Sequence, residues 1–200
     1  MSRFLGSLNA SGRIPAGQQT RVAAFLISAH GALARQLALA LAMPSEHAWR
    51  AELNAQVFRE AEIVSLMLQA TCWVPDVELL TLCPTWEAAW LIHPVPDIAD
   101  RSKALIVDVV AFGHAVHGAI RPAAILPEGA SRNDTFAEAL RRIEFESGRL
   151  IQAQILFLKG PELAPIRAPI SAAVDRRHAQ VRKLWQDMLA GIGVGAEGSA

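Results

Sequence analysis

The sequence predicts an all-α fold, a single-domain bundle of about five long helices. Apolar residues recur at helical spacing over five long stretches of the chain. Hydrophobic residues make up 52% of the 200 residues, which is ample material for one core. Prolines fall mainly between the stretches, where they are expected to end or begin helices. Together these observations favour helices packed against one another over a sheet.

The first two helices are separated by a clear stop signal. The first is expected from about residue 18 to 43, with leucines repeating along one side. Pro44 ends it, because proline cannot continue the backbone hydrogen bonds of a helix. Ser45 can then cap the second helix, which is expected from about residue 46 to 72.

A Trp/Pro-rich irregular insert is expected between the second and third helices, at residues 71–100. Its prolines remove backbone donors and push the preceding residues out of the helical conformation. It also carries three tryptophans, too much apolar surface to leave in water, so we expect it to pack across the bundle. The three are Trp73, Trp86 and Trp90.

The third helix is expected from about residue 97 to 120, with Asp97 as its cap. This stretch is apolar around most of its circumference, which predicts a central position in the bundle. A buried strand over residues 105–110 is the alternative, because periodicity alone does not separate short valine-rich runs from helix.

The last two helices follow a loop and a linker. Asp134 is expected to cap the fourth helix, which runs to about Lys159. A proline-spaced linker through Pro165 and Pro169 then precedes a fifth helix from about residue 171 to 190.

The expected domain organisation is a flexible lead at residues 1–16, the bundle at 17–190 and a disordered tail at 191–200. No apolar core of signal-peptide type is seen near the start, so a cytoplasmic location is predicted. The most apolar runs contain charged or imidazole groups, so no membrane span is expected. Nineteen basic and nineteen acidic residues balance, which disfavours general nucleic-acid binding.

Titratable side chains on the apolar stripes are the most informative feature for function. Such groups are costly to bury without partners, so they imply either a polar network between helices or a ligand site. Glu60 lies in the middle of its stripe and is predicted to be buried against a cation or an imidazole from another helix. The others on or beside a stripe are His30, His117, Glu144 and His178.

A metal or haem site is one interpretation of these residues. His114 and His117 are spaced i, i+3, which suits two ligands of one ion but occurs in many helices by chance. The Glu-x-x-His pairs of dinuclear carboxylate bundles are missing from the sequence, which argues against that class. A mononuclear site built from His30, Glu60 and His117, with Glu144 as a further candidate, is geometrically possible.

Two functional hypotheses follow. No phosphate loop, nucleophile elbow or HExxH motif is found, so common nucleotide-dependent and hydrolytic chemistries lose weight. The preferred hypothesis is a cytoplasmic accessory protein without a cofactor, which binds a protein partner or itself through the tryptophans of the insert and a helix face. The alternative is an enzyme or sensor that holds a metal, haem or small organic ligand near the buried histidines and glutamates.

Overall fold

The computed structural model describes residues 13–14, 19–43, 47–72, 90–120, 126–127 and 135–191. Five long helices account for most of this part of the chain, and the prediction of an all-α bundle is confirmed. We label them in chain order: α1 (Gln19–Leu41), α2 (His47–Ala70), α3 (Arg101–Ile120), α4 (Thr135–Leu158) and α5 (Arg167–Gly191).

Helix α3 differs from the sequence prediction at its first residues. Residues 105–110 are helical, so the strand alternative is wrong. The expected start at Asp97 is also wrong, because Asp97 has a φ of 66°, in the left-handed region that a right-handed helix excludes. Asp100 is the cap instead: its Oδ1 accepts hydrogen bonds from the backbone amides of Ser102 and Lys103, at 2.9 and 3.1 Å.

The linker predicted through Pro165 and Pro169 is itself helical, and α5 begins before the predicted start at Ser171. Residues Pro161–Ile166 form a 3-10 helix, and α5 begins directly after it at Arg167. Pro169 is tolerated because it lies in the first turn of α5, where backbone amides have no partner within the helix in any case.

A short backbone pairing involves part of the predicted flexible lead. Arg13–Ile14 pairs in parallel with Leu126–Pro127, in a two-stranded arrangement of two residues each. The flexibility of the lead stays a prediction. The rest of the lead and the tail from residue 192 lie outside the described residues.

Helix α3 is central, as its apolar circumference predicts, since it packs against α1, α4 and α5. Helix α2 packs against α1 and α4, so α1 to α4 enclose a common interior. Large aromatic rings fill one end of the core. Phe25 meets Trp90 and Trp185 edge-on, with ring centroids 5.5 and 5.3 Å apart.

Trp90 is the tryptophan of the insert that lies in the described part of the chain. It is only 1% exposed, its indole stacks on Phe112, and its Nε1 donates a hydrogen bond to Ser28 Oγ at 3.0 Å. Packing within the chain covers the ring of Trp90, so little of it is exposed to a partner. Trp73 and Trp86 lie outside the described residues.

A buried ion pair fastens the segment after Trp90 to α5. Asp108 is fully buried on α3, and Arg177 contacts both of its carboxylate oxygens, with Nε donating to Oδ1 at 3.1 Å and Nη2 donating to Oδ2. The same Nη2 donates to the carbonyl of Leu91 at 2.8 Å. Asp108 Oδ2 also accepts the backbone amide of His93 at 3.0 Å. The pair thus joins two helices and the end of the insert.

Helix α1 is long and apolar enough to cross a membrane by length and composition, with a mean hydropathy of 1.4 over its most apolar window. In the bundle, 61% of that window is buried against other elements. A core helix has the same properties, so the expectation that the chain has no membrane span stays a prediction.

Candidate metal centre in the bundle interior

Three of the predicted titratable side chains meet at one point in the bundle. His30 comes from α1, Glu60 from α2 and His117 from α3, and each is 0% exposed. Glu60 Oε2 lies 2.7 Å from His30 Nδ1, and Glu60 Oε1 lies 2.7 Å from His117 Nε2. The prediction that Glu60 is buried against an imidazole from another helix is confirmed.

Helical periodicity explains why these three side chains point inward. His30 lies one turn from Leu26 and Leu33, which are both buried. Glu60 lies close in sequence to Ile63 and Gln56 on the buried side of α2. Each polar group therefore shares a stripe whose apolar members hold the helix against its neighbours.

The protonation of the cluster follows from the state of Glu60. Burial alone would raise the pKa of Glu60, but attraction to His117 and hydrogen bonds from both imidazoles lower this pKa from 4.5 to about 2. Glu60 is therefore a carboxylate near neutral pH and can only accept hydrogen bonds. His30 Nδ1 and His117 Nε2 must both carry hydrogens and donate to it.

The remaining nitrogen of each imidazole has a different environment. His117 Nδ1 lies 3.0 Å from Ser147 Oγ, which brings α4 into the cluster. His30 Nε2 is buried and has no hydrogen-bond partner among the described residues. Burial lowers the pKa of His30 despite its contact with Glu60, which favours a neutral ring with a lone pair on Nε2.

Sequence reasoning missed Ser147, which is fully buried on α4. A small hydroxyl residue gives little signal in a hydrophobic pattern, although Ser147 lies between Ile143 and Ile151 at a spacing of four residues. A serine on an apolar stripe is the clue that could have identified it.

The cluster has the spacing of a metal-ligand set. One ligand atom from each of the three residues lies within 4.8 Å of the other two. Two ligands about 2.1 Å from one ion stand about 3.0 Å apart at a right angle and about 3.4 Å apart at a tetrahedral angle. The 2.7 Å contacts between Glu60 and each imidazole are shorter than these separations, so the side chains would need to shift to admit an ion.

Haem is a poorer fit than a single ion. The rings of His30 and His117 are centred 5.3 Å apart, and the carboxylate of Glu60 contacts both. A porphyrin between the rings would have to displace Glu60 and force the helices apart.

His114 and Glu144 do not join this cluster. His114 Nδ1 lies 2.8 Å from His178 Nε2 on α5, and burial followed by repulsion from His178 lowers the pKa of His114 to about 4. Side chains three residues apart lie about 60° apart around a helix axis, and here they have different partners: His114 contacts His178 of α5, whereas His117 contacts Glu60 of α2 and Ser147 of α4. Glu144 is half-buried and lines an open depression on α4. The structure thus separates both from the centre formed by His30, Glu60 and His117.

A second buried polar layer lies about one turn from the centre. Gln154 Nε2 on α4 donates to Gln56 Oε1 on α2 at 3.4 Å, and both amides are buried. A Cβ atom at Gly113 of α3 would lie 2.5 Å from Gln154 Nε2, so glycine makes room for this amide. The layer extends the polar interior between α2, α3 and α4 and was not predicted from the sequence.

Comparisons with models of known protein families, with curated proteins and with solved structures found no significant match.

Proposed function

We propose that this protein binds one divalent transition-metal ion through His30, Glu60 and His117. The observation that carries the proposal is the convergence of two imidazoles and a carboxylate, from three different helices, at one fully buried point. Buried charge is costly, and an ion coordinated by all three groups would match it.

The donor atoms define the class of metal. Two imidazole nitrogens and one carboxylate oxygen suit Zn²⁺ or Fe²⁺, whereas Mg²⁺ and Ca²⁺ prefer ligand sets made of oxygen alone. The same set occurs in catalytic zinc sites and in non-haem iron sites, where further positions on the metal stay open.

Ion binding requires a rearrangement of hydrogens within the cluster. If the nitrogens that contact Glu60 are the ligands, His30 Nδ1 and His117 Nε2 must give up the hydrogens that they donate to Glu60. In a neutral imidazole the hydrogen can move to the other nitrogen. His117 Nδ1 would then donate to Ser147 Oγ, the kind of outer contact that orients metal-ligating histidines.

The enclosed geometry supports a structural or sensory ion more than a catalytic one. A substrate would need a path to the ion, and the side chains of His30, Glu60 and His117 are each 0% exposed. An ion coordinated by side chains of α1, α2 and α3 would instead hold these three helices together, so that its binding would depend on how they pack.

The test is metal loading of the whole chain. Because the ligands are buried, Zn²⁺ or Co²⁺ is supplied during refolding of chelator-treated protein as well as to folded protein. We expect one equivalent to bind, and a metal at hundredfold excess over its dissociation constant to raise the melting temperature by about 5–10 °C. Co²⁺ absorption bands would report coordination by the protein.

Matched variants decide whether the ion sits at this cluster. We expect the variants His30→Gln and His117→Gln not to bind the metal ion. The variant His114→Gln, which alters another imidazole of α3, is expected to bind one equivalent of metal as the wild type does. A wild-type chain that binds neither metal would overturn the proposal. So would stoichiometric binding that survives both ligand substitutions.

We also propose self-association through the outer face of α2 and α4, from a separate observation. Phe58 and Phe145 are 68% and 65% exposed on these adjacent helices. An exposed ion pair between Arg142 and Glu62 bridges the same two helices. In a two-fold dimer the second copy places the same arginine and glutamate opposite this pair, so each charge can face one of opposite sign. This retains the accessory-protein hypothesis without Trp90, and a cytoplasmic location remains part of it.

Light scattering across a concentration series tests this second proposal. The mass of the wild-type chain is expected to rise toward a dimer, and the doubly substituted Phe58→Ser, Phe145→Ser chain is expected to stay monomeric. A wild-type chain that is monomeric at its highest soluble concentration would contradict it.

A further inference from the structure

A groove of about 600 Å³ runs between α4 and α5, away from the cluster of His30, Glu60 and His117. Its lining comes from the end of α4, the start of α5 and one imidazole of α3. The residues are His114, Ile155, Leu158, Lys159, Arg167, Ile170, Ser171 and Val174. Its volume falls within the range of small-molecule sites in proteins.

The groove has an apolar wall built by both helices. Ile155 and Leu158 come from α4, and Ile170 and Val174 come from α5. Leu158 and Ile170 are anchored in the core, so the wall is a fixed part of the bundle. An alkyl chain bound along this wall would exchange contact with water for contact with aliphatic side chains, which is favourable.

Two cations stand at one end of the groove. Lys159 follows the last turn of α4, and Arg167 begins α5. Both are exposed, and no carboxylate of the described residues forms an ion pair with either. The guanidinium of Arg167 has the planar fork that binds a carboxylate through two parallel hydrogen bonds.

The opposite end carries no comparable charge. His114 closes it, and its Nδ1 is already engaged by His178 Nε2 at 2.8 Å. Seven residues of α5 separate Arg167 from Val174, which is about 10 Å of helix. The groove is therefore cationic at one end and apolar along its length, a polarity that matches a ligand with one anionic head and one extended tail.

We infer that this groove binds a medium-chain monocarboxylate, with the carboxylate on Lys159 and Arg167 and the alkyl chain along the wall formed by Ile155, Leu158, Ile170 and Val174. This site is separate from the proposed metal centre and does not depend on it. The binding involves no chemical change in the ligand.

Calorimetric titration of the chelator-treated full chain with decanoate, below its micellar concentration, tests the inference. Decanoate is expected to bind with a stoichiometry of one. Decan-1-ol, which keeps the chain but lacks the charge, and butyrate, which keeps the charge but lacks the chain, are each expected to bind at least about tenfold more weakly. Equal binding of decanol and decanoate would overturn the assignment of the cationic end.

Variants locate the ligand in the groove. Arg167→Gln and Lys159→Gln are each expected to weaken decanoate binding by about tenfold, while Lys183→Gln, an exposed cation elsewhere on α5, leaves it unchanged. His30→Gln is expected to bind decanoate normally, which separates this result from the metal proposal. Unchanged affinity in both groove variants, or no binding to the wild-type chain, refutes the inference.

Discussion

Replacing Arg177 with methionine is expected to destabilise the protein by about 3–5 kcal/mol, since it leaves the carboxylate of Asp108 buried without its main partner. Methionine keeps most of the length of the side chain, so the loss reports the charge and its hydrogen bonds more than packing. Urea denaturation followed by far-ultraviolet circular dichroism measures the effect.

The control for this substitution is its neighbour. Arg176 also donates to Asp108 Oδ1, at 3.0 Å, but its side chain is 45% exposed, so Arg176→Met is expected to cost less than about 1 kcal/mol. In the Arg177 variant, amide exchange should speed up first near Leu91 and His93, which the pair holds to α3 and α5. Equal stability of the two variants would show that the buried ion pair between Asp108 and Arg177 does not hold these elements together.

Substituting Glu60 is expected to have a similarly large effect on the metal-free protein. Glu60→Ala removes the acceptor for two buried imidazole hydrogens and should cost about 3–5 kcal/mol. Glu60→Gln should cost less, because the amide oxygen can still accept from one imidazole. Denaturation in the presence of a chelator separates these costs from any contribution of bound metal.

The pH dependence gives the Glu60 prediction a sign. Because the pKa of Glu60 falls from 4.5 in the unfolded chain to about 2 in the fold, its ionisation stabilises the fold above pH 4.5. That contribution, about 3 kcal/mol, is lost as the pH falls from 4.5 toward 2. The stability difference between wild type and Glu60→Gln should therefore shrink over this interval. A difference that stays constant down to pH 2.5 would contradict the ionised, doubly hydrogen-bonded state of Glu60.

His30 acts in the same direction at higher pH. Burial lowers the pKa of His30 below its ordinary value of 6.5, so below pH 6.5 the unfolded chain binds a proton that the folded chain does not. Wild-type stability should thus begin to fall below about pH 6.5. The decline should be shallower in His30→Gln.

The sequence was sufficient to predict features that depend on a single helix, such as which of its side chains face the interior. His30, Glu60 and His117 could be singled out because each interrupts an apolar stripe of its own helix, and a stripe position faces the interior whatever the neighbouring helix is. The boundaries of α1 and α2 were also predicted closely, because Pro44 marks the break between them.

Features that depend on two helices at once could not be predicted. His114 was grouped with His117 by spacing, but the packing of α5 against α3 gives it His178 as its partner. Asp97 and Asp100 are both reasonable caps in the sequence. The choice between them rests on longer-range contacts, such as the hydrogen bond from the Val95 amide to the Ala104 carbonyl at 3.3 Å.

The meeting of His30, Glu60, His117 and Ser147 also fixes how the helices slide against one another. Apolar stripes tolerate shifts of one turn, about 5.4 Å, because leucine can replace leucine at an interface. A shifted helix here would instead place a carboxylate against aliphatic side chains. The buried donors that it leaves behind would then have no hydrogen-bond acceptor. With one polar group on each of four helices, a single longitudinal alignment satisfies all of them, and competing compact states with slipped helices are raised in energy. The bundle thereby gains a unique register from its buried polar groups.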